Sequence, residues 1–359
     1  MKNLLYPFLK LFWGLDENNS REFDQPKKIL IVRQHNQLGD LLACISVFRA
    51  LKEKFPSAEV SVIVSPANKN ALHKSKFIEE LFVFDKSKIL SFVYFNKLMR
   101  FLRKDYDLAV VPVTVSLSLT SNLLCRAAKA KVRIGPNSLN GKENSSAFLF
   151  DRRIDLNWKK YPDANVADFS LDILRPFGIS TYNFSSEISF DEKDKAGSQK
   201  FIHSFTRKMG KIIGLHVGAG KPPNRWSFEN FISLINLLEK TYQPIIYLTG
   251  STADLEIIKL ISSAISSETK VFLNKDISEV AALIAQSSLF ITNDTGIMHV
   301  AGTTPTPQIS IFGPTNPFNW APVGNQKYFL RHSDLINDVT VEEVFSLCRT
   351  LLSNEKDLS

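Results

Sequence analysis

Short apolar runs alternate along this chain with longer stretches whose apolar residues recur every three or four positions. Residues 28–33 (KILIVR), 60–64, 81–84, 108–113 and 131–135 read as strands, being brief, apolar and rich in β-branched side chains. Between the first two, Leu41, Ile45, Phe48, Leu51 and Phe55 fall at helical spacing and stop before Pro56. Near 178–200 the texture changes, where Gly178-Ile179-Ser180-Thr181 and the charged run 191–195 separate this series from a second. The second series has strands at 212–217, 244–249, 270–273, 288–292 and 307–312. Its helical patterns lie at 227–240, 252–265 and 278–286, with an amphipathic piece over about 340–352. Strands alternating with helices predict parallel β-α-β units. The expected fold is therefore α/β, with two doubly wound domains at 27–180 and 181–359 behind an extension at 1–26. A ligand cleft is expected between the two domains.

Composition narrows the partners. Cys44, Cys125 and Cys348 are an odd, scattered set, which fits a reducing, cytoplasmic compartment and neither a disulfide scaffold nor a zinc site. Forty-four Lys and Arg against 36 Asp and Glu give a net charge of +8, which suits a phosphorylated substrate or an anionic membrane. No RNA-binding aromatic signature, zinc-finger spacing or helix-turn-helix pattern stands out, so no nucleic-acid partner is expected. In MKNLLYPFLKLFWGL, Leu4, Leu5, Phe8, Leu9, Phe12 and Trp13 fall on one helical face. The stretch is too short to span a bilayer and lacks a cleavage site. Two readings stay open. Residues 1–20 lie in a membrane interface, with Trp13 at headgroup depth and Lys2, Lys10 and Arg21 near anionic lipid, or the helix packs on the protein's own surface.

The candidate chemistry sits on strand-to-helix loops. In 289–301 (LFITNDTGIMHVA) a buried strand meets Asn293-Asp294-Thr295-Gly296, and a helix opens at once. Unpaired N–H groups and the positive end of a helix dipole then converge where a phosphate fits. His299, three residues past Gly296, can face the same mouth. The plainer alternative is a strand-turn-helix capped by Asp294. The loop Gly218-Ala219-Gly220-Lys221-Pro222-Pro223-Asn224-Arg225 lacks P-loop spacing, but its glycines, Lys221 and Arg225 suit a diphosphate. Asp254, after Gly250-Ser251-Thr252-Ala253, reads either as a ribose ligand or as a solvent-facing first-turn acid. Phe312-Gly313-Pro314-Thr315 closes another strand on the same rim. The first loop, Gln37-Leu38-Gly39-Asp40, places a carboxylate where α/β proteins bind ligands. From the residues alone Asp40 is favoured as an N-cap over a base, because capping bonds lower a pKa that a base needs raised. Asp105-Tyr106-Asp107 precedes a strand instead of following one and reads as strand-entry chemistry. No His, Cys, Asp and Glu cluster has metal-ligand spacing, and Gly-x-Ser-x-Gly is absent.

Taken together, Leu38-Gly39-Asp40 with the following 47–56 (VFRALKEKFP), Val132-Arg133-Ile134-Gly135, His216-Val217-Gly218-Ala219-Gly220, Arg225-Trp226, 293–301 and Phe312-Gly313-Pro314-Thr315 resemble the family 9 glycosyltransferases. These are the ADP-heptose:lipopolysaccharide heptosyltransferases, and the resemblance runs from about residue 27 to about 330. It implies a GT-B fold and an inverting, metal-independent transfer that needs no cofactor. The donor would be a nucleotide sugar, with ADP-heptose favoured, and the acceptor an anionic, lipid-linked glycan of the lipopolysaccharide-core type. It also implies that Asp40 is the base, reversing the preference for a cap, with Gln37, Leu38 and Gly39 on the acceptor side. The amides of Thr295 and Gly296 would hold the diphosphate, Asp294 the donor sugar, His299 the phosphate site and Asp254 the ribose. One departure stands out: relatives carry Lys two residues before the loop tryptophan, and here that position is Asn224. Lys221 or Arg225 supplies the charge instead, or the donor differs. A nucleotide-sugar epimerase and a non-catalytic sugar-nucleotide-binding relative remain open alternatives.

Overall fold

The computed structural model describes residues 2–207 and 210–353, with side chains from Tyr6 onward. Lys2, Leu4 and Leu5 of the expected N-terminal face thus lie outside the described side chains. The chain forms two compact units, Met1–Phe184 and Ser185–Ser359.

In the first unit, strands β1 (Lys28–Arg33), β2 (Glu59–Val64), β3 (Glu80–Val83), β4 (Tyr106–Val110) and β5 (Ala130–Leu139) run parallel in the order β3-β2-β1-β4-β5. A short β6 (Lys142–Glu143) folds back antiparallel on β5, and β7 (Arg152–Leu156) pairs with β5 in parallel. The helices are α1 (Lys2–Trp13), α2 (Leu38–Ala43), α3 (Ile45–Lys54), α4 (Lys69–Leu72), α5 (Phe92–Leu102), α6 (Leu119–Ala127) and α7 (Val166–Phe169). β1 and β2 are buried on both faces except for their first residues, which is why they read as unbroken apolar runs.

The second unit has six parallel strands, β8 (Ile212–His216), β9 (Ile245–Gly250), β10 (Thr269–Leu273), β11 (Leu289–Asn293), β12 (Gln308–Ile311) and β13 (Lys327–Leu330), in the order β10-β9-β8-β11-β12-β13. Its helices are α8 (Glu192–His203), α9 (Phe228–Tyr242), α10 (Leu255–Ala264), α11 (Ile277–Ile284), α12 (Gly296–Gly302), α13 (Pro317–Trp320) and α14 (Val341–Ser353). Both sheets reverse direction of winding at one point, between β1 and β4 and between β8 and β11. Ligands of open α/β sheets bind at the carboxyl ends of such strand pairs.

Three expectations need correction. The first series does not end at residue 135, because β7 (RRIDL) extends the sheet. Its charges alternate with buried Arg152, Ile154 and Leu156, so it lacks the continuous apolar run of a central strand. The edge strand β13 escaped notice for the same reason, with no residue fully buried. The charged run 191–195 is not a linker. It opens α8 through a capping box, in which Asp191 accepts from the Asp194 N–H at 3.0 Å and Asp194 from the Asp191 N–H at 3.1 Å.

Of the two readings of the N-terminus, packing on the protein's own surface holds for the end of the helix. The end of α1 is tied to its own unit: Arg126 Nε donates to the Trp13 carbonyl at 2.8 Å and Leu15 N–H to Phe148 O at 2.8 Å. Its outer face nevertheless leaves Phe8, Leu11 and Phe12 in solvent. No helix among the described residues is long and apolar enough to cross a membrane.

Candidate functional site

At the switch point of the first sheet, β1 ends in Arg33, which is buried. Its guanidinium lies 3.5 Å from Asp40 Oδ2, donates to Thr114 Oγ1 at 3.3 Å, and contacts His35 Nδ1. Thr114 arrives from the loop after β4, the strand paired with β1. Asp40 is not an N-cap: α2 starts at Leu38, so Gln37 takes the cap position and makes no side-chain cap bond, while Asp40 sits in the first turn. The carboxylate is buried, and burial pushes its pKa up against the opposing pull of Arg33 and Thr114. The expected conflict between cap and base is absent, since no capping bond holds the charge. Burial, with Arg33 and Lys86 nearby, pushes His35 down to about 4.

Beside this cluster Gln34, His35, Asn36 and Gln37 line a pocket of about 590 Å3, closed by Ser65, Pro66, Phe84, Lys86 and Ser118. Asn68 Nδ2 donates to His35 O at 2.8 Å, and Gln34 Nε2 to Ser118 Oγ at 3.0 Å, so the loop is fixed from both neighbouring strands. Gln37 is exposed, and Leu38 and Gly39 are half-buried.

At the switch point of the second sheet, Asn293 ends β11 with no exposed surface. Its Nδ2 donates to Val217 O at 3.0 Å and Gly218 O at 3.3 Å, and its Oδ1 accepts from the Trp226 N–H at 3.1 Å. The side chain is therefore a strut between two loops and not itself open to a ligand. Trp226, completely buried, anchors the far end of the loop through Nε1 to Val339 O at 2.9 Å.

The next residues are more open. Thr295, not Asp294, caps α12, accepting from the Ile297 N–H at 3.0 Å. The turn uses the N–H groups of Asp294, Ile297 and Met298 and, among the described residues, leaves those of Thr295 and Gly296 without a partner. Asn224 Nδ2 donates to Asp294 Oδ2 at 2.8 Å and reaches Asp294 O at 3.3 Å, so at the departure position an amide holds the acid in place. Burial raises the Asp294 pKa, against the pull of a bond from Thr315 and the charge of Lys221. Arg225 is folded back, with Nε donating to Ala219 O at 2.7 Å. Lys221 is exposed.

Two expected ligands are less open than the sequence suggested. Asp254 is not solvent-facing: its Oδ2 accepts from Ser251 N–H and Oγ, both at 2.8 Å, in a capping box. Its other oxygen presses on Gly218, where an added Cβ would stand 2.1 Å away, whereas a Cβ at Gly220 would meet nothing within 4 Å. His299 is buried within α12, with its ring centroid 6.4 Å from that of Trp320, and burial pushes its pKa down to about 4. At the opposite end of α12, half-buried Lys327 of β13 donates to Ala301 O, Thr304 O and Thr306 O at 3.1, 2.8 and 2.6 Å. Asp107 of the D-x-D accepts from the N–H groups of Lys27 and Lys28 at 2.8 and 3.1 Å, which confirms strand-entry chemistry.

Sequence reasoning missed Arg33 and Thr114, and it placed Thr315 on the rim without naming Asp294 as its partner. Of the two missed residues only Arg33 carried a signal, as a charge closing a strand that is otherwise buried.

Residues 95–345 match the model of glycosyltransferase family 9, the heptosyltransferases. The lipooligosaccharide heptosyltransferase 2 of Haemophilus influenzae is 24% identical over 314 residues, spanning 82% of this chain and 86% of that protein. Among solved structures, a family 9 glycosyl transferase from Veillonella parvula superposes with a TM-score of 0.81 at 19% identity, covering 94% of this chain and all of that one. The E. coli ADP-heptose LPS heptosyltransferase II gives 0.76 at 20% identity, covering 92% of this chain and 99% of that one. These likenesses make the paired Rossmann-like units a GT-B fold. The chain is a glycosyltransferase, and it belongs to family 9, the heptosyltransferase family.

Proposed function

We propose that this enzyme moves a heptose from ADP-heptose to an anionic, lipid-linked acceptor of the lipopolysaccharide core or a related surface glycan, with inversion and without a metal. The observation that carries the reading is the turn Asp294-Thr295-Gly296, where two amides without partners meet a polar carboxyl beside Lys221. The donor's diphosphate lies on the amides of Thr295 and Gly296, and Lys221 supplies the cation that Asn224 lacks. Asp294, held by Asn224, orients the sugar. Gly218, Ala219 and Gly220 let the loop backbone approach the phosphates. Asp254 serves the ribose through the oxygen its capping box leaves over. Asn293, Arg225 and His299 act as positioning residues behind this surface.

On the acceptor side, Asp40 takes the proton from the attacking hydroxyl while the oxygen bonds to C1 of the sugar. The C1–oxygen bond to the diphosphate breaks, and ADP leaves with the electron pair. A pKa raised by burial suits a base working near neutral pH. Gln37, Leu38 and Gly39 border the acceptor. The enzyme works in the cytoplasm at the inner face of the cytoplasmic membrane, where residues 1–20 meet lipid.

The test is a calorimetric and thermal-shift panel of ADP-, UDP-, GDP- and CDP-sugars, followed by transfer assays. ADP-heptose at roughly a hundredfold excess over its Kd should stabilise the protein by about 2.7 kcal/mol. Asp40→Asn should keep that binding and lose transfer by about 10²–10⁴-fold. Stabilisation by another nucleotide alone, donor turnover without acceptor, or transfer retained in Asp40→Asn would each overturn the corresponding part of the reading.

A further inference from the structure

The first unit carries an apolar surface that the transfer chemistry does not use. Helices α1, α5 and α6 line a groove of about 890 Å3 that includes Trp13, Phe95, Leu98 and Leu123. Around it large apolar side chains stand in solvent: Phe8, Leu11 and Phe12 on α1, and Leu90, Phe92 and Val93 at the start of α5. Leu90 is 95% exposed and Phe92 77%.

This corner is held firmly. Tyr94 Oη donates to Val83 O at 2.9 Å and accepts from the Asp85 N–H at 2.7 Å, while its ring packs 5.7 Å from that of Phe82. Ser91 caps α5 by accepting from the Tyr94 N–H. A fixed apolar patch of this kind on a water-soluble surface marks an interaction site.

Charge identifies the partner. The sequences of α1, α5 and α6 contain Lys10, Lys97, Arg100 and Arg126 and no acidic residue. Arg103 and Lys129 line the same groove, and Lys86 and Lys88 precede Leu90; of these, Lys129 pairs with Asp105 and Lys88 with Asp85. Aromatic and aliphatic side chains ringed by cations suit the interface of an anionic bilayer, apolar groups among acyl chains and cations at phosphate level. Phe84 lines both this groove and the polar pocket beside His35 and Gln37. The greasy compartment and the polar one thus share this side chain.

We propose that this face docks on an anionic phospholipid bilayer. Leu90, Phe92 and Val93 enter the acyl region beside α1, and the groove receives an acyl chain. The inference rests on the reading of a lipid-linked acceptor and names the surface that meets the membrane. Docking there sets the polar pocket at the level of the headgroups, where the glycan of such an acceptor emerges.

The test uses the full chain with vesicles of phosphatidylethanolamine and phosphatidylglycerol, and with vesicles of phosphatidylcholine alone. Two variants change exposed residues only, Leu90→Ser/Phe92→Ser/Val93→Ser and Lys97→Glu/Arg100→Glu. The unaltered protein should sediment with the anionic vesicles, and each variant should bind them about tenfold more weakly or worse. Thermal stabilisation by ADP should be unchanged in both. Binding by the serine variant equal to that of the unaltered protein overturns the proposal, as does equal binding to phosphatidylcholine. A concentration-dependent dimer that the serine substitutions abolish, without vesicle binding, would assign the face to a second copy of the chain and also overturn it. If ADP fails to stabilise the unaltered protein, the reading of an ADP-sugar donor falls, while the vesicle comparison judges docking by itself.

Discussion

Replacing Asn293 by aspartate changes one atom type and tests how the loop from Val217 to Trp226 is held. In the native protein the Nδ2 group serves Val217 O at 3.0 Å and Gly218 O at 3.3 Å, and Oδ1 serves the Trp226 N–H, all inside a closed interior. Alanine strands these three backbone groups, and at about 1–3 kcal/mol for each group left unsatisfied the cost should be at least about 3 kcal/mol. Aspartate keeps the acceptor for Trp226 but, once ionised, sets a negative charge against two carbonyl oxygens. Its folded-state pKa must therefore rise well above the ordinary value of about 3.9. A raised folded pKa means the stability is present below the unfolded value and lost as pH climbs through the folded one. The loss runs at about 1.4 kcal/mol per pH unit, which amounts to about 4 kcal/mol by pH 7 if the group is still protonated there. Urea melts of Asn293→Asp and Asn293→Ala at pH 4.5 and pH 8, each referred to the native protein, separate the cases. Aspartate should be the milder change in acid and the equal or worse one at pH 8. A cost for aspartate that does not change with pH would refute the strut.

Other expectations follow from the same contacts. Burial holds His216 and His299 at about 4, so both are neutral in the fold and take up protons on unfolding below 6.5. That stability is present above pH 6.5 and lost as pH falls toward 4, by up to about 3 kcal/mol for each histidine; His299→Gln should flatten the acid limb of a melting-temperature profile. Asn224→Ala frees Asp294 and should weaken ADP-heptose binding by about tenfold, read by calorimetry, with the fold intact. Thr295→Ala removes the α12 cap and should cost about 1 kcal/mol in urea melts while ADP affinity stays close to native, because the backbone amides remain.

The central strands were legible because burial on both faces writes itself as an uninterrupted apolar run; the bounds expected for β1 match those observed. Edge strands β7 and β13 were not, since a half-exposed strand mixes charges into its pattern. At the site, the turn at Asp294 and Thr295 was visible as a strand-turn-helix boundary, although the cap was assigned one residue early. The partners were not visible. Thr114 reaches Arg33 across 81 residues of sequence, and Asn293 reaches Val217 across 76. Such contacts depend on which strands neighbour each other, and local periodicity carries no record of that. Asp40 was misread as a cap because Gly39-Asp40 looks like a helix entrance, whereas the helix had already begun at Leu38.

The glycines at 218 and 220 have different evolutionary freedom. At 218 even a methyl group would collide with the Asp254 carboxylate and disturb the turn that starts the next helix, so that position is closed to variation. At 220 there is room for a side chain. A lineage, or a directed-evolution library, that varies this loop without unfolding the protein would therefore find its diversity at 220 and almost none two residues earlier.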